Sequence, residues 1–138
     1  MESKQKVLKI AAEVDKLSDV LLFVDTMLEE IGCPMKAQMQ IDVALEELFV
    51  NIAHYAYQKG TGEAEIRLNA TSDTVEITLI DSGIPYNPLE KPDPDVTLSA
   101  KDRAIGGLGI FMSKKLMDHI SYEHTDGKNI LTIKKHLK

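Results

Sequence analysis

Apolar residues along the chain change their period several times, and each change marks an element. Val7, Ile10, Ala12 and Val14 form a short run of imperfect alternation, which predicts an edge strand over residues 4 to 13. From Asp15 the spacing becomes helical: Leu17, Val20, Leu21, Val24, Leu28 and Ile31 share one face, with Ser18-Asp19 as a start signal and Gly32 as a stop. This helix has about four turns. Pro34 opens a second helix, where a missing N–H is harmless, and Met35, Met39, Val43, Leu45, Leu48 and Ile52 carry it to Tyr57. After the break at Gln58 to Gly62, Ala64, Ile66, Leu68 and Ala70 alternate with Glu65, Arg67 and Asn69 as a half-buried strand. A turn at Thr71-Ser72-Asp73 returns the chain as Val75, Ile77 and Leu79, and this second strand of a hairpin ends at Asp81.

Regular patterning then stops. Residues 82 to 105 hold four of the five prolines and no steady period, a length that is uncommon unless the loop is functional or disordered. Ile110, Met112, Leu116 and Met117 predict a helix opening at Gly106-Gly107-Leu108-Gly109. Two final strands, Ile120 to His124 and Asn129 to His136, are joined through Asp126-Gly127. The order β, α, α, β, β, long loop, α, β, β does not repeat βαβ units. It predicts an α+β fold, a two-layer sandwich in which helices cover one face of a mixed sheet.

Composition narrows the function. At 138 residues the chain has the size of one domain, residues 1–138, and its 43% hydrophobic and 28% charged content is that of an ordinary globular protein. A net charge of −6 with two arginines, Arg67 and Arg103, leaves no basic surface for a nucleic acid backbone. The polar start and the lack of any long apolar window predict a cytoplasmic protein without a membrane segment. Cys33 stands alone, so no internal disulfide or multi-cysteine zinc site forms, and the four histidines show no metal spacing.

Three blocks carry candidate chemistry. Glu47 and Asn51 lie one helical turn apart, so a carboxylate and a carboxamide can enter the same pocket. A side-chain oxygen such as that of Asn51 can complete a magnesium shell made mostly by phosphates and water, and Glu47 can accept a proton from a hydroxyl. Asp81 follows an apolar strand and can accept a bond from an exocyclic amine, while Gly83 allows close backbone approach. Gly106, Gly107 and Gly109 precede a helix whose exposed N–H groups suit phosphate. Alone, each block has a plainer explanation: a solvated helix face, an ordinary Asp-x-Gly turn, a loop that needs glycine to enter a helix. The Walker and Rossmann glycine patterns are both absent.

Taken in order, the blocks resemble the motifs of the GHKL (Bergerat-fold) ATPase superfamily, and within it those of the bacterial anti-sigma-factor serine/threonine kinases. Glu46 to Tyr57 is similar to their N box, Asp81-Ser-Gly-Ile-Pro-Tyr-Asn-Pro88 to their G1 box and Gly106-Gly-Leu-Gly-Ile-Phe111 to their G2 box. The resemblance implies a histidine-kinase-like ATPase fold using ATP and Mg, with Glu47 as general base and Asn51 as the Mg ligand. It further implies that Asp81 binds the adenine amine, that Gly83 lines the base pocket, and that residues 84–105 form the ATP lid. Gly106, Gly107, Leu108 and Gly109 would approach the phosphates, and Arg103 would meet the terminal one.

Tyr55 departs from the histidine of many family members, with His54 one position earlier. Thr132 is a further residue that could reach the nucleotide, although a plain strand threonine accounts for it equally. The implied partners are an anti-sigma factor antagonist that accepts the phosphate, and a sigma factor or other output protein. Family similarity also suggests a homodimer through the first strand and helix, whose apolar residues core burial explains as well. Two other readings fit the motifs: a non-catalytic ATP-binding partner-switching module, and a sensor histidine kinase domain lacking its phosphoacceptor helices.

Overall fold

A computed structural model of the chain describes residues 4–57, 62–85, 87 and 113–137. Strand β1 (Lys4–Ala11) leads through a 3₁₀ turn (Val14–Lys16) into helix α1 (Leu17–Glu30), followed by helix α2 (Met35–Tyr55). The hairpin β2 (Glu63–Ala70) and β3 (Thr74–Asp81) comes next, and after a short helical stretch at 113–116 the hairpin β4 (His119–Thr125) and β5 (Lys128–His136) ends the chain.

Local chemistry explains the boundaries. Helix α1 stops in a Schellman arrangement: Gly32 takes φ 72°, Cys33 N donates to Leu28 O at 2.9 Å and Gly32 N to Glu29 O at 3.2 Å. Pro34 sits one place before α2 rather than inside it, and its carbonyl accepts from Gln38 N at 3.0 Å. Thr71 Oγ1 accepts from the backbone N–H groups of Asp73 and Thr74, both at 3.1 Å, which closes the β2–β3 turn. Asp126 and Gly127, at φ 54° and 75°, form the two-residue turn between β4 and β5.

The sheet order is β1-β2-β3-β5-β4, and every neighbouring pair is antiparallel. The α+β sandwich of the sequence reading therefore holds with one correction: among the described residues the sheet is antiparallel throughout, not mixed. The physical reason is insertion of β5 between β3 and β4, which run in the same direction but never touch as ladder neighbours.

One face of the sheet is covered. Ala64, Ile66 and Leu68 of β2, Val75, Ile77 and Leu79 of β3, and Leu131 and Ile133 of β5 pack against Val24, Met27 and Leu28 of α1 and Leu45, Leu48 and Phe49 of α2. Each large side chain removed from water in this layer contributes about 1.5–3 kcal/mol. The same alternation brings Asp81 and Asn129 to the covered face, directly opposite one another across β3 and β5. No described helix is long and apolar enough to cross a membrane.

Candidate functional site

Helix α2 meets the ends of β3 and β5 in a cleft lined by Leu48, Asn51, Ile52, Ala56, Leu79, Asp81, Tyr122, Asn129 and Leu131. The free space there, open solvent at its mouth included, is about 400 Å³. Aliphatic walls with a few convergent polar groups suit a flat heterocycle read along one edge.

The helical wall carries Asn51, and Glu47 stands one turn before it on α2. Asn51 is 6% exposed, and its Nδ2 donates to the Glu47 carbonyl at 2.8 Å and, more loosely, to Glu47 Oε1 at 3.4 Å. Because a carbonyl oxygen only accepts, these bonds fix which way the amide faces. Among the described residues, Oδ1 is left buried with no hydrogen-bond partner. An unpartnered buried oxygen costs about 1–3 kcal/mol, and a hard cation is one group that satisfies it. Beside it, burial pushes the half-buried Glu47 carboxyl above its ordinary range; the Asn51 amide opposes that push, Glu46 adds to it and His54 opposes it. A carboxylate whose proton affinity is raised is a better base near neutral pH.

The strand wall carries Asp81, which is 5% exposed. Its Oδ1 accepts from Gly83 N at 2.9 Å and from Asn129 Nδ2 at 2.9 Å, and among the described residues Oδ2 takes no hydrogen bond. The adjoining turn is fastened to the end of α2. Ile84 N donates to Ala56 O at 2.9 Å, and a Cβ added to Gly83 would lie 2.1 Å from that same oxygen. Gly83 thus makes its close approach to the α2 backbone. Tyr57 adds a second tie, donating to Glu63 O at 2.7 Å and accepting from Ser82 N at 2.9 Å.

The structure therefore brings Glu47, Asn51, Asp81 and Gly83 to one end of α2. Arg103, Gly106, Gly107, Leu108 and Gly109 lie outside the described residues, as does most of the 84–105 segment. Thr132 alternates with buried Leu131 and Ile133 and lies on the other face of the sheet, within 3.3 Å of the Thr78 hydroxyl, so it does not reach the cleft. No cluster of three metal-ligating side chains exists among the described residues. Two polar cleft residues, Tyr122 and Asn129, were missed by the sequence reading, as was the role of Tyr57 in tying down the adjoining turn. A signal for Asn129 was present, since it shares the inward phase of Leu131 and Ile133.

The sequence profile of the histidine kinase-like ATPase domain matches residues 10–135. The chain belongs to this family. This histidine kinase-like ATPase domain is 27% identical to the serine-protein kinase RsbW of Bacillus mycoides over 139 residues, spanning 97% of the chain and 87% of the relative. It is 25% identical to the serine/threonine-protein kinase BtrW of Bordetella bronchiseptica over 137 residues, spanning 99% and 96%. A crystal structure of the RsbU and RsbW domains of a Mycobacterium tuberculosis protein superposes with a TM-score of 0.67 at 18% identity, covering 97% of the chain and 32% of that protein's chain. At that identity the likeness concerns the fold alone.

Proposed function

We propose that the chain is an ATP-dependent serine/threonine protein kinase and anti-sigma regulatory factor. In this reading it phosphorylates an antagonist protein in the cytoplasm and controls a sigma factor by partner switching. The observation that carries the reading is the buried, unpartnered Asn51 Oδ1 beside Glu47, in an apolar cleft that also holds the Asp81 carboxyl. These residues fit ATP with Mg: a hard oxygen for the cation, an acceptor for an exocyclic amine and aliphatic walls for the base. The names of the relatives and the family match support the same reading.

In that role Asn51 Oδ1 holds the cation, Asp81 Oδ2 accepts from the 6-amino group, and Glu47 orients and deprotonates the partner's hydroxyl. Bound ATP with Mg supplies the phosphoryl group and the charge neutralisation that its transfer needs. Residues 84–105 serve as the lid, with Arg103 at the terminal phosphate, and Gly106, Gly107, Leu108 and Gly109 place backbone donors along the phosphates. The whole of residues 1–138 acts as one domain. Exposed Val7 on β1 and Leu22 on α1 support a homodimer through that side. A phosphate added to the antagonist weakens its docking on a chain of net charge −6 through like-charge repulsion.

The test mixes the protein, Mg-ATP labelled on the terminal phosphate and a candidate antagonist. Transfer to serine or threonine is expected, and Glu47→Gln should lower its rate by roughly 100-fold or more while ATP binding stays intact. Unchanged transfer in Glu47→Gln removes Glu47 as the base. ATP binding without transfer to any antagonist favours the non-catalytic partner-switching module instead.

A further inference from the structure

Helix α2 carries a row of residues that changes character along its length. Met35, Met39, Val43, Glu47 and Asn51 follow one another at intervals of four, so each is the next one's neighbour on the helix surface. Because 3.6 residues make a turn, such a row winds slowly about the axis. It begins on the side facing solvent, with Met35 70%, Met39 61% and Val43 47% exposed, and ends at buried Asn51 in the cleft. The outward side of an amphipathic helix normally carries polar residues, and single apolar exceptions are common. Three in succession form a stripe instead, and Leu116 joins them in lining a groove with Lys36 and Gln40. Its free space, open solvent included, is about 770 Å³.

Charge gives the groove two distinct ends. Lys36 stands beside Met35 and forms no ion pair among the described residues, whereas Glu46 and Glu47 follow within one turn of Val43. From Met35 to Val43 the helix rises about 12 Å, and Glu47 lies about 6 Å further on. An amphipathic helix of a partner protein suits this layout, with apolar side chains at helical spacing along the stripe and an acidic residue against Lys36. The unbranched, polarisable methionines can mould themselves to such a partner. A lipid surface fits less well, because the carboxylates at one end and the net charge of −6 oppose anionic headgroups. Continuity of the row then has a chemical consequence: a segment seated on Met35, Met39 and Val43 is led to Glu47.

We propose that the groove between α2 and residues 113–116 docks the phosphate-accepting protein through an amphipathic helix with an apolar stripe about 12 Å long. The acidic end of that helix lies at Lys36, and a hydroxyl one turn past its last apolar residue reaches Glu47. This rests on the reading of the chain as a protein kinase. Affinity for the acceptor then arises outside the nucleotide cleft, so KM for the acceptor is set separately from ATP binding.

The probes are two synthetic helices, stapled on their outward side and made in both chain directions. Each has three leucines at intervals of four and a serine one turn beyond the last; one has glutamates at the opposite end, the other lysines. Fluorescence anisotropy reads their binding to the intact protein, and label from Mg-ATP reads transfer to the serine. The wild type should prefer the glutamate peptide, and Lys36→Glu should reverse that order, which partial unfolding cannot do. Met39→Lys should weaken binding of both peptides by roughly 10-fold, the usual loss of one apolar anchor. It should raise KM for transfer by the same factor, with kcat and ATP affinity unchanged. Val14→Lys alters a similarly exposed apolar residue away from the groove and should change neither. Absence of binding by both peptides, or binding indifferent to Met39→Lys and Lys36→Glu, would overturn the proposal. So would a Tm of the isolated protein lowered by Met39→Lys, since the stripe would then have an occupant already. Sedimentation identifies it as a second copy if a dimer dissociates, and as the chain's own residues 88–112 if the protein is monomeric. Peptide binding that follows both substitutions without any transfer would overturn the kinase reading and leave the docking surface standing.

Discussion

Gly83 illustrates how much one residue determines at the cleft. The nearest neighbours of a Cβ added there are backbone atoms, Ala56 O at 2.1 Å and Ala56 C at 2.5 Å, which cannot rotate aside. Gly83→Ala must therefore push the turn off α2 and strain the 2.9 Å bond from Ile84 N to Ala56 O. The expected cost is about 1–3 kcal/mol, as for other overpacked sites, with weaker nucleotide binding because Asp81 moves with its turn. Thermal unfolding checks the first effect, and Ser82→Ala, which keeps its backbone bond to Tyr57, should leave stability near that of the wild type. The Glu47 and Asn51 pair was legible in the sequence because a helix fixes the geometry of residues four apart. Asp81 was legible as a strand end, but its burial was not foreseen, although Val75, Ile77 and Leu79 place it in the inward phase. Asn129 is 48 positions from Asp81, and their contact depends on a β3–β5 register that neither local sequence contains.

At the scale of elements, periodicity located both helices and five strands to within a few residues, because burial of one face dictates the repeat. Turn signals paired the strands of the two hairpins, but nothing local revealed how the hairpins join, so the antiparallel β3–β5 pairing is evident only from the ladder. Nor could it reveal what the helices place between themselves. Among the described residues, Asp25 on α1 and Asp42 on α2 each have a buried Oδ1 with no hydrogen-bond partner. Burial first, and then the neighbouring Asp25 carboxyl, push Asp42 up to about 7 from an ordinary 3.8. The nearby Cys33 thiol is pushed up as well, by burial and then by the Asp42 charge, which makes it a slow nucleophile. A folded-state pKa above the unfolded value means that the native protein binds more protons between these limits. The stabilisation is fully present below about pH 4 and is lost as pH rises through about 7. Asp42→Asn should flatten the decline in Tm across that window and, above it at pH 8, raise stability by an amount on the order of 1 kcal/mol after allowing for solvent screening at this half-buried site. A pH profile unchanged by the substitution would assign the decline to other groups.

For the molecule as a whole, the cleft sets stability against binding. A sheet and two helices bury an apolar core, yet one end of that core holds Asn51 Oδ1 without a partner. Such an atom lowers the stability of the free protein and is relieved when a cation reaches it. Any ligand that binds only the folded state adds RT ln(1 + [L]/Kd), about 2.7 kcal/mol at 100 times Kd. For a chain of this size that corresponds to a rise in Tm of roughly 10 °C. Mg-ATP should therefore raise the Tm of the wild type, and ATP with EDTA should raise it less. Asn51→Leu keeps similar bulk but removes both the orphaned oxygen and the cation ligand. Its free form should melt higher than wild type by roughly 4 °C, the equivalent of about 1 kcal/mol, and its shift with ATP should be the same with Mg or with EDTA. Thermal scans of both proteins under the three conditions read the two effects separately. A Mg-dependent increment that survives in Asn51→Leu would move the cation to other residues, whereas a free variant less stable than wild type would mean that the Asn51 bond to Glu47 outweighs the cost of its unpartnered oxygen.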